Sequence, residues 1–145
     1  MVNMRIFKGL FRKKEEEKKE VIEEKSELTE LETVCSDAPE ILEALEDTMF
    51  LYPLKFDISL KDALSRARRF EREGDNIRAA LWYRIAGGIA IYEGDVSRVK
   101  DCFSKYAKLT GKSPKILEVA EEAVKRAQKY YKKYLEEKRM ETSAY

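Results

Sequence analysis

The sequence predicts an all-α fold: an antiparallel array of helical hairpins, about five helices in all, behind a charged N-terminal arm. Three observations carry the prediction. Charged residues make up 39% of the 145 residues while Gly and Pro number only 6 and 3, a composition of helix formers with few breakers. The phrase EGD occurs at 73–75 and again at 93–95, each time with an Arg three positions after the Asp. Between and around these phrases the apolar residues recur at helical spacing.

The arm reads in two parts. Residues 1–14, MVNMRIFKGLFRKK, hold five basic residues and no acid. Met4, Phe7, Leu10 and Phe11 follow helical spacing, with Lys8, Arg12, Lys13 and Lys14 on the remaining positions. This is the pattern of a short basic amphipathic helix that lies in an anionic membrane interface; the bland alternative is a frayed start or a helix folded back on the domain. Residues 15–35 are dominated by Glu and Lys with few apolar positions, a charged linker, partly helical or disordered.

The helical domain is expected over 36–140, with 141–145 as a tail. In SDAPE, Ser36 or Asp37 is placed to cap a helix with Pro39 in its first turn, running to about Leu51 before Pro53. In SLKDAL, Ser59 with Asp62 three residues on opens a helix from Leu60 to Glu73. Gly74 and Asp75 end that helix and cap the next, to about Glu93; Gly94 and Asp95 repeat the joint for a helix from Val96 to about Thr110. In each joint the Gly takes a left-handed turn and the Asp accepts from the amides that follow. Gly111, Ser113 as cap and Pro114 at the first position start a last helix that reaches about Glu137.

Leu60, Ala63, Leu64, Ala67 and Phe70 form one core-facing stripe. The helix from Asn76 is apolar nearly all round beyond Ala79, which makes it central. Within it Gly87-Gly88 predicts close approach by a neighbour, with a kink as the alternative. Arg84 lies in this most apolar helix and needs a partner, either a structural Glu or Asp or the surface reached along its stem. Val99, Cys102, Phe103 and Tyr106 mark the buried face of the following helix.

Ala67, Phe70, Gly74-Asp75, Ala79, Tyr83 and Ala86 stand at the spacing of the small, aromatic, Gly-Asp, Ala, aromatic and Ala positions of a tetratricopeptide repeat. Residues 60–93 thus resemble one such repeat of about 34 residues. Gly94-Asp95, Val99, Phe103 and Tyr106 fall at matching offsets in a second joint, with Gly87 at the small position upstream. One helix then serves both units, as in the irregular stacked-helix proteins that attach to SNAREs. Ile91 stands where a closing Pro is usual, and Val99 and Tyr106 replace small residues. The resemblance implies a non-catalytic protein-interaction scaffold whose groove is lined by the first helix of each unit. Carried over, that face is Lys61, Leu64, Arg68, Glu71 and Arg72, whose basic groups would receive an acidic or C-terminal carboxylate peptide; otherwise it is a solvated face with local ion pairs.

Composition narrows the remaining classes. Lys+Arg 29 against Asp+Glu 28 argues against a globally basic nucleic-acid binder and against an acidic disordered chain. The chain has no His, which removes the commonest general base and the commonest zinc ligand. No catalytic residue, metal or cofactor is expected, and a small enzyme of unknown reaction is the least favoured reading. RNA binding is the second reading, through Tyr130, Tyr131 and Tyr134 interleaved with Lys129, Lys132 and Lys133; against it, those tyrosines continue apolar stripes. Cys35 and Cys102 are expected reduced, in a cytoplasmic protein that meets the inner membrane face through residues 1–14. Asn3, Asn76 and Gln128 are the only side-chain amides, which with abundant Lys and Glu points toward a thermophilic source. No apolar run approaches the roughly 20 residues of a membrane span. Homo-oligomerisation stays open as a way of capping the ends of a short stack.

Overall fold

The structure, a computed structural model, describes residues 30–48 and 57–143, with side chains described through residue 133. Six helices and no strand occur among the described residues: α1 (Glu30–Val34), α2 (Pro39–Asp47), α3 (Leu60–Arg72), α4 (Asn76–Glu93), α5 (Val96–Thr110) and α6 (Ile116–Ser143). The expected all-α class holds. The amphipathic stretch 1–14 and most of the linker lie outside the described residues.

Local signals set the helix starts from α3 to α5. The Ser59 hydroxyl accepts from the Asp62 amide at 3.1 Å. Asp75 accepts from the Arg78 amide and Asp95 from the Arg98 amide, both at 3.1 Å. Gly74 and Gly94 adopt φ of +77° and +75°, and the bonds around them follow one plan. The Asp75 amide donates to the Phe70 carbonyl and the Gly74 amide to Glu71; Asp95 donates to Ala90 and Gly94 to Ile91. Each EGD is therefore a two-bond C-terminal cap fused to the next helix's side-chain cap. The recurring Arg supplies its backbone amide to that cap.

Contacts across the joints run in opposite chain order on the paired helices. The Arg78 guanidinium lies 5.7 Å from the Phe70 ring, and Arg66 lies 4.8 Å from Trp82. Along the α4–α5 pair, Gly87 meets Phe103 and Arg84 faces the Tyr106 ring at 5.8 Å. α4 packs against α3, α5 and α6. Nine of its residues are buried, including Ala86 through Ile91, which is why its apolar residues run round the helix rather than along one stripe. One core cluster joins α3 and α4 through Ala63, Ala67, Ala79, Tyr83 and Ala86, with Cys102 from α5. The other joins α2 and α6 to α4 and α5 through Leu45, Ile91, Val99, Phe103, Ala123 and Ala127. Of the two expectations at Gly87-Gly88, close approach is what occurs. A Cβ on Gly87 would stand 2.5 Å from Cε2 of Phe103.

Several boundaries differ from the expected ones. Packing begins upstream of Ser36: α1 forms, Cys35 is 1% exposed, and Leu31 and Val34 pack on the core. Neither Ser36 nor Asp37 caps α2. Ala38 occupies the cap position with no side-chain bond, because the Asp37 carboxylate is held by Arg126, whose Nη2 donates to Oδ2 at 2.9 Å. α2 stops at Asp47 rather than near Leu51; Thr48 is extended and its buried hydroxyl donates to the Leu45 carbonyl at 2.7 Å. α6 starts at Ile116, two residues after Pro114, whose carbonyl and that of Lys115 accept from Leu117 and Glu118 in tight three-residue turns. The helix breaks locally at Val119 (φ −129°, ψ 21°) and continues to Ser143, past Glu137 and into the expected tail.

Three helix C-termini are closed by side chains from other helices, which supply donors to carbonyls of the last turn; of these, the Ile91 carbonyl also accepts from the Gly94 amide. Arg126 Nη1 donates to the Val34 carbonyl of α1 at 2.8 Å, and Arg84 Nη2 to the Asp47 carbonyl of α2 at 2.8 Å. Gln128 Nε2 donates to the Ile91 and Tyr92 carbonyls of α4 at 2.7 and 2.8 Å. Of the two expectations for Arg84, a Glu or Asp partner or the surface reached along its stem, the second is nearer: the side chain is half-buried and its guanidinium bonds a main-chain carbonyl at a helix's negative end.

Candidate functional site

α3 and α5 both lie on α4 and leave a cleft between them with a volume of about 390 Å³. Leu64 and Arg68 line it from α3, Tyr83 from α4, and Arg98, Asp101, Cys102, Ser104, Lys105 and Lys108 from α5. The floor is apolar and fixed: Leu64, Tyr83 and Cys102 are all buried, while Arg68, Arg98, Lys105 and Lys108 are exposed at the rim. On α5 the spacing 98, 101, 105, 108 repeats the turn of the helix, so these side chains share a face.

The floor is tied together by a polar contact. The Tyr83 hydroxyl donates to Glu71 Oε1 at 2.7 Å, and Lys105 Nζ lies 3.4 Å from Glu71 Oε2. The Tyr83 bond and, after it, Lys105 hold the Glu71 carboxyl below its ordinary range. Burial and that same bond push the Tyr83 phenol up to about 12. Burial also raises the Cys102 thiol to about 11, which disfavours the thiolate and leaves a poor nucleophile. Both Cys35 and Cys102 are buried free thiols.

The five residues carried over from the repeat resemblance therefore part company. Leu64 and Arg68 belong to the cleft. Glu71 touches it, bound inward to Tyr83 and Lys105. Lys61 and Arg72 are exposed at the two ends of α3 and do not line it. Missing from the sequence reading is the facing wall, Arg98 to Lys108, although its i, i+3, i+7, i+10 spacing was available. Gly74, Asp75, Gly94 and Asp95 form the joints as described. The membrane-surface candidates Met4 to Lys14 lie outside the described residues.

On α6 Tyr130 and Tyr131 serve packing, while the Tyr134 side chain lies outside the described residues. Tyr131 is buried, and its ring meets Tyr92 edge-on at 5.0 Å and Tyr130 at 5.6 Å. Lys129, Lys132 and Lys133 are exposed, and Lys129 and Lys132 line a shallow surface depression with Tyr92, Gln128 and the edge of Tyr131. Near the start of α4, Ile77 (85% exposed) and Leu81 (44%) are large hydrophobics left at the surface. Among the described residues no group of three His, Cys, Asp or Glu is arranged to hold a metal ion, and no helix is long and apolar enough to cross a membrane. No family model matches the chain, and no curated protein or solved structure is significantly similar to it.

Proposed function

We propose that the protein is a non-catalytic interaction module whose α3–α5 cleft receives an acidic peptide segment of a partner protein. The observation that carries this reading is the convergence of four cationic side chains from two helices on one apolar-floored cleft. Arg68, Arg98, Lys105 and Lys108 face Asp101 as the acidic side chain of the lining. A guanidinium offers two parallel donors to a carboxylate, and the two Lys ammonium groups add point charge along the same wall. The apolar floor would take an aliphatic or aromatic side chain of the peptide between its acidic residues.

The test is a fluorescence-anisotropy titration with a short Glu-rich peptide ending in a free carboxylate, repeated with rising salt and with a Gln-substituted control. Binding should weaken with salt, fail for the control, and drop about tenfold in each of Arg68→Glu and Arg98→Glu, with unchanged thermal unfolding. Equal binding of peptide and control, or of wild type and both variants, would overturn the reading.

Residues 1–14 add a tether to this proposal. Phe7 and Phe11 would enter the surface of an anionic bilayer while Lys8 and Arg12 to Lys14 pair with lipid phosphates. Changing Phe7 and Phe11 to Glu in the full chain should abolish cosedimentation with phosphatidylserine vesicles; unchanged cosedimentation would remove the tether.

A further inference from the structure

Resting on the cleft reading above, we infer that the cleft's resident occupant is the chain's own acidic arm, residues 15–27, which folds back over α3 and α5 and competes with the partner peptide. Segment 15–27 reads EEEKKEVIEEKSE, seven Glu against three Lys, whereas the cleft is lined by four basic side chains and Asp101. Its net charge is thus −4, and only Leu28 and Thr29 stand between it and α1. Its flank is the opposite sign: Arg12, Lys13 and Lys14 would be repelled by Arg68 and Arg98, which limits the contact to the Glu-rich part.

Reach does not exclude it. Residues 15–29 span up to about 50 Å when extended, more than the diameter of about 35 Å expected for a domain of roughly 100 residues. A tethered segment is present at an effective concentration near 1 mM, so even a weak contact competes. An arm whose own affinity is about a tenth of that value lowers the apparent affinity of an external peptide about tenfold. At the edge of the cleft the chain already holds one carboxylate on a lining cation, Glu71 on Lys105; the arm would add others to Arg68, Arg98 and Lys108, which are exposed.

Two measurements on the full chain test this. The first is zero-length carbodiimide coupling of carboxylates to lysines, followed by peptide mapping of the monomeric product. The second is anisotropy with the Glu-rich probe peptide, comparing wild type with the E15Q/E16Q/E17Q/E20Q/E23Q/E24Q variant. Coupling of arm glutamates to Lys105 or Lys108 within one chain, with the variant binding the probe about tenfold tighter at low salt, supports the inference. The two proteins should converge in high salt, where the Debye length shrinks to about 3 Å. Equal probe affinity for both proteins overturns the arm while leaving the cleft reading intact. Probe binding to neither protein overturns the cleft reading and this inference with it. Arm–Lys105 coupling found only between two chains assigns the occupant to a second copy and overturns the intramolecular contact.

Discussion

Replacing Gly87 by alanine puts a methyl group where the ring of Phe103 already stands. The new Cβ would lie 2.5, 2.8 and 3.0 Å from Cε2, Cζ and Cδ2 of that ring, against the roughly 3.5–4.0 Å at which carbon atoms rest in contact. The ring is 1% exposed and belongs to the cluster joining α4, α5 and α6, so it cannot swing into solvent. Two effects oppose each other. Alanine favours the helix over glycine by about 1 kcal/mol, while overpacking a close-packed core costs about 1–3 kcal/mol. The net change should fall between about 0 and 2 kcal/mol of destabilisation, a range too broad to decide the matter with one variant. A double-mutant cycle removes the ambiguity. Phe103→Leu alone should destabilise by about 1–2 kcal/mol through lost burial. In that background Gly87→Ala no longer meets a ring and should be stabilising by most of its helix-propensity gain. The expected coupling is about 1–3 kcal/mol, the size of the relieved clash. Urea unfolding of the four proteins, followed by circular dichroism at 222 nm, measures it. Additive effects, with Gly87→Ala stabilising in both backgrounds, would refute the claim that a glycine is needed here for α5 to approach.

Three further expectations concern the polar ties. Tyr83 has a folded pKa of about 12 against an ordinary value of 10.0, so its contribution to stability is complete below pH 10 and is lost as pH rises toward 12. Tyr83→Phe should flatten that alkaline loss in urea melts; an unchanged slope would mean that Tyr83 is not the group responsible. Arg126 ties α1 and Asp37 to α6, and its bond keeps the Asp37 carboxyl below the ordinary value. That tie is present above pH 4 and fails as pH falls through the depressed pKa. Arg126→Gln should lower the protection factor of the Cys35 amide, which donates to Leu31 at 3.0 Å, and acidification should lower it in wild type once the intrinsic exchange rate at each pH is divided out. Protection that persists in both cases would show that packing alone holds α1. Gln128→Leu removes the donor from the Ile91 and Tyr92 carbonyls and should cost about 1–2 kcal/mol, read as a lower urea midpoint with an unchanged slope; an unmoved midpoint would show that water replaces the amide at no cost.

These perturbations divide by the range over which their physics acts. The helix starts at Ser59, Asp75 and Asp95 were legible because a cap is a contact between residues three apart, and the left-handed glycines because their φ follows from the helix ending there. The central place of α4 was legible for a related reason: a helix apolar on all sides can be satisfied only by neighbours on several sides. In the candidate cleft, Leu64 and Arg68 could be read from the periodicity of α3. The opposing wall could not be placed, because which face α5 turns toward α3 depends on how it rolls on α4, and Phe103 against Gly87 sets that roll.

Local rules misled where a distant group competed for the same atoms. Asp37 has the chemistry of a cap but lies within reach of Arg126, and a two-point charged contact outweighs one amide bond. Arg84 was rightly expected to need a partner, yet the partner is a backbone carbonyl, which exists as an acceptor only because α2 ends beside it. Glu71 fell on the expected face and turns inward, since Tyr83 and Lys105 arrive there from two other helices. The sequence by itself determined where most helices begin and turn, because those signals act over one turn of backbone. The tertiary structure alone decided which helix ends are closed by which side chains, and which four cations share a cleft. The helix-end closures join residues 36 to 92 positions apart, and only the packed core brings them within bonding distance.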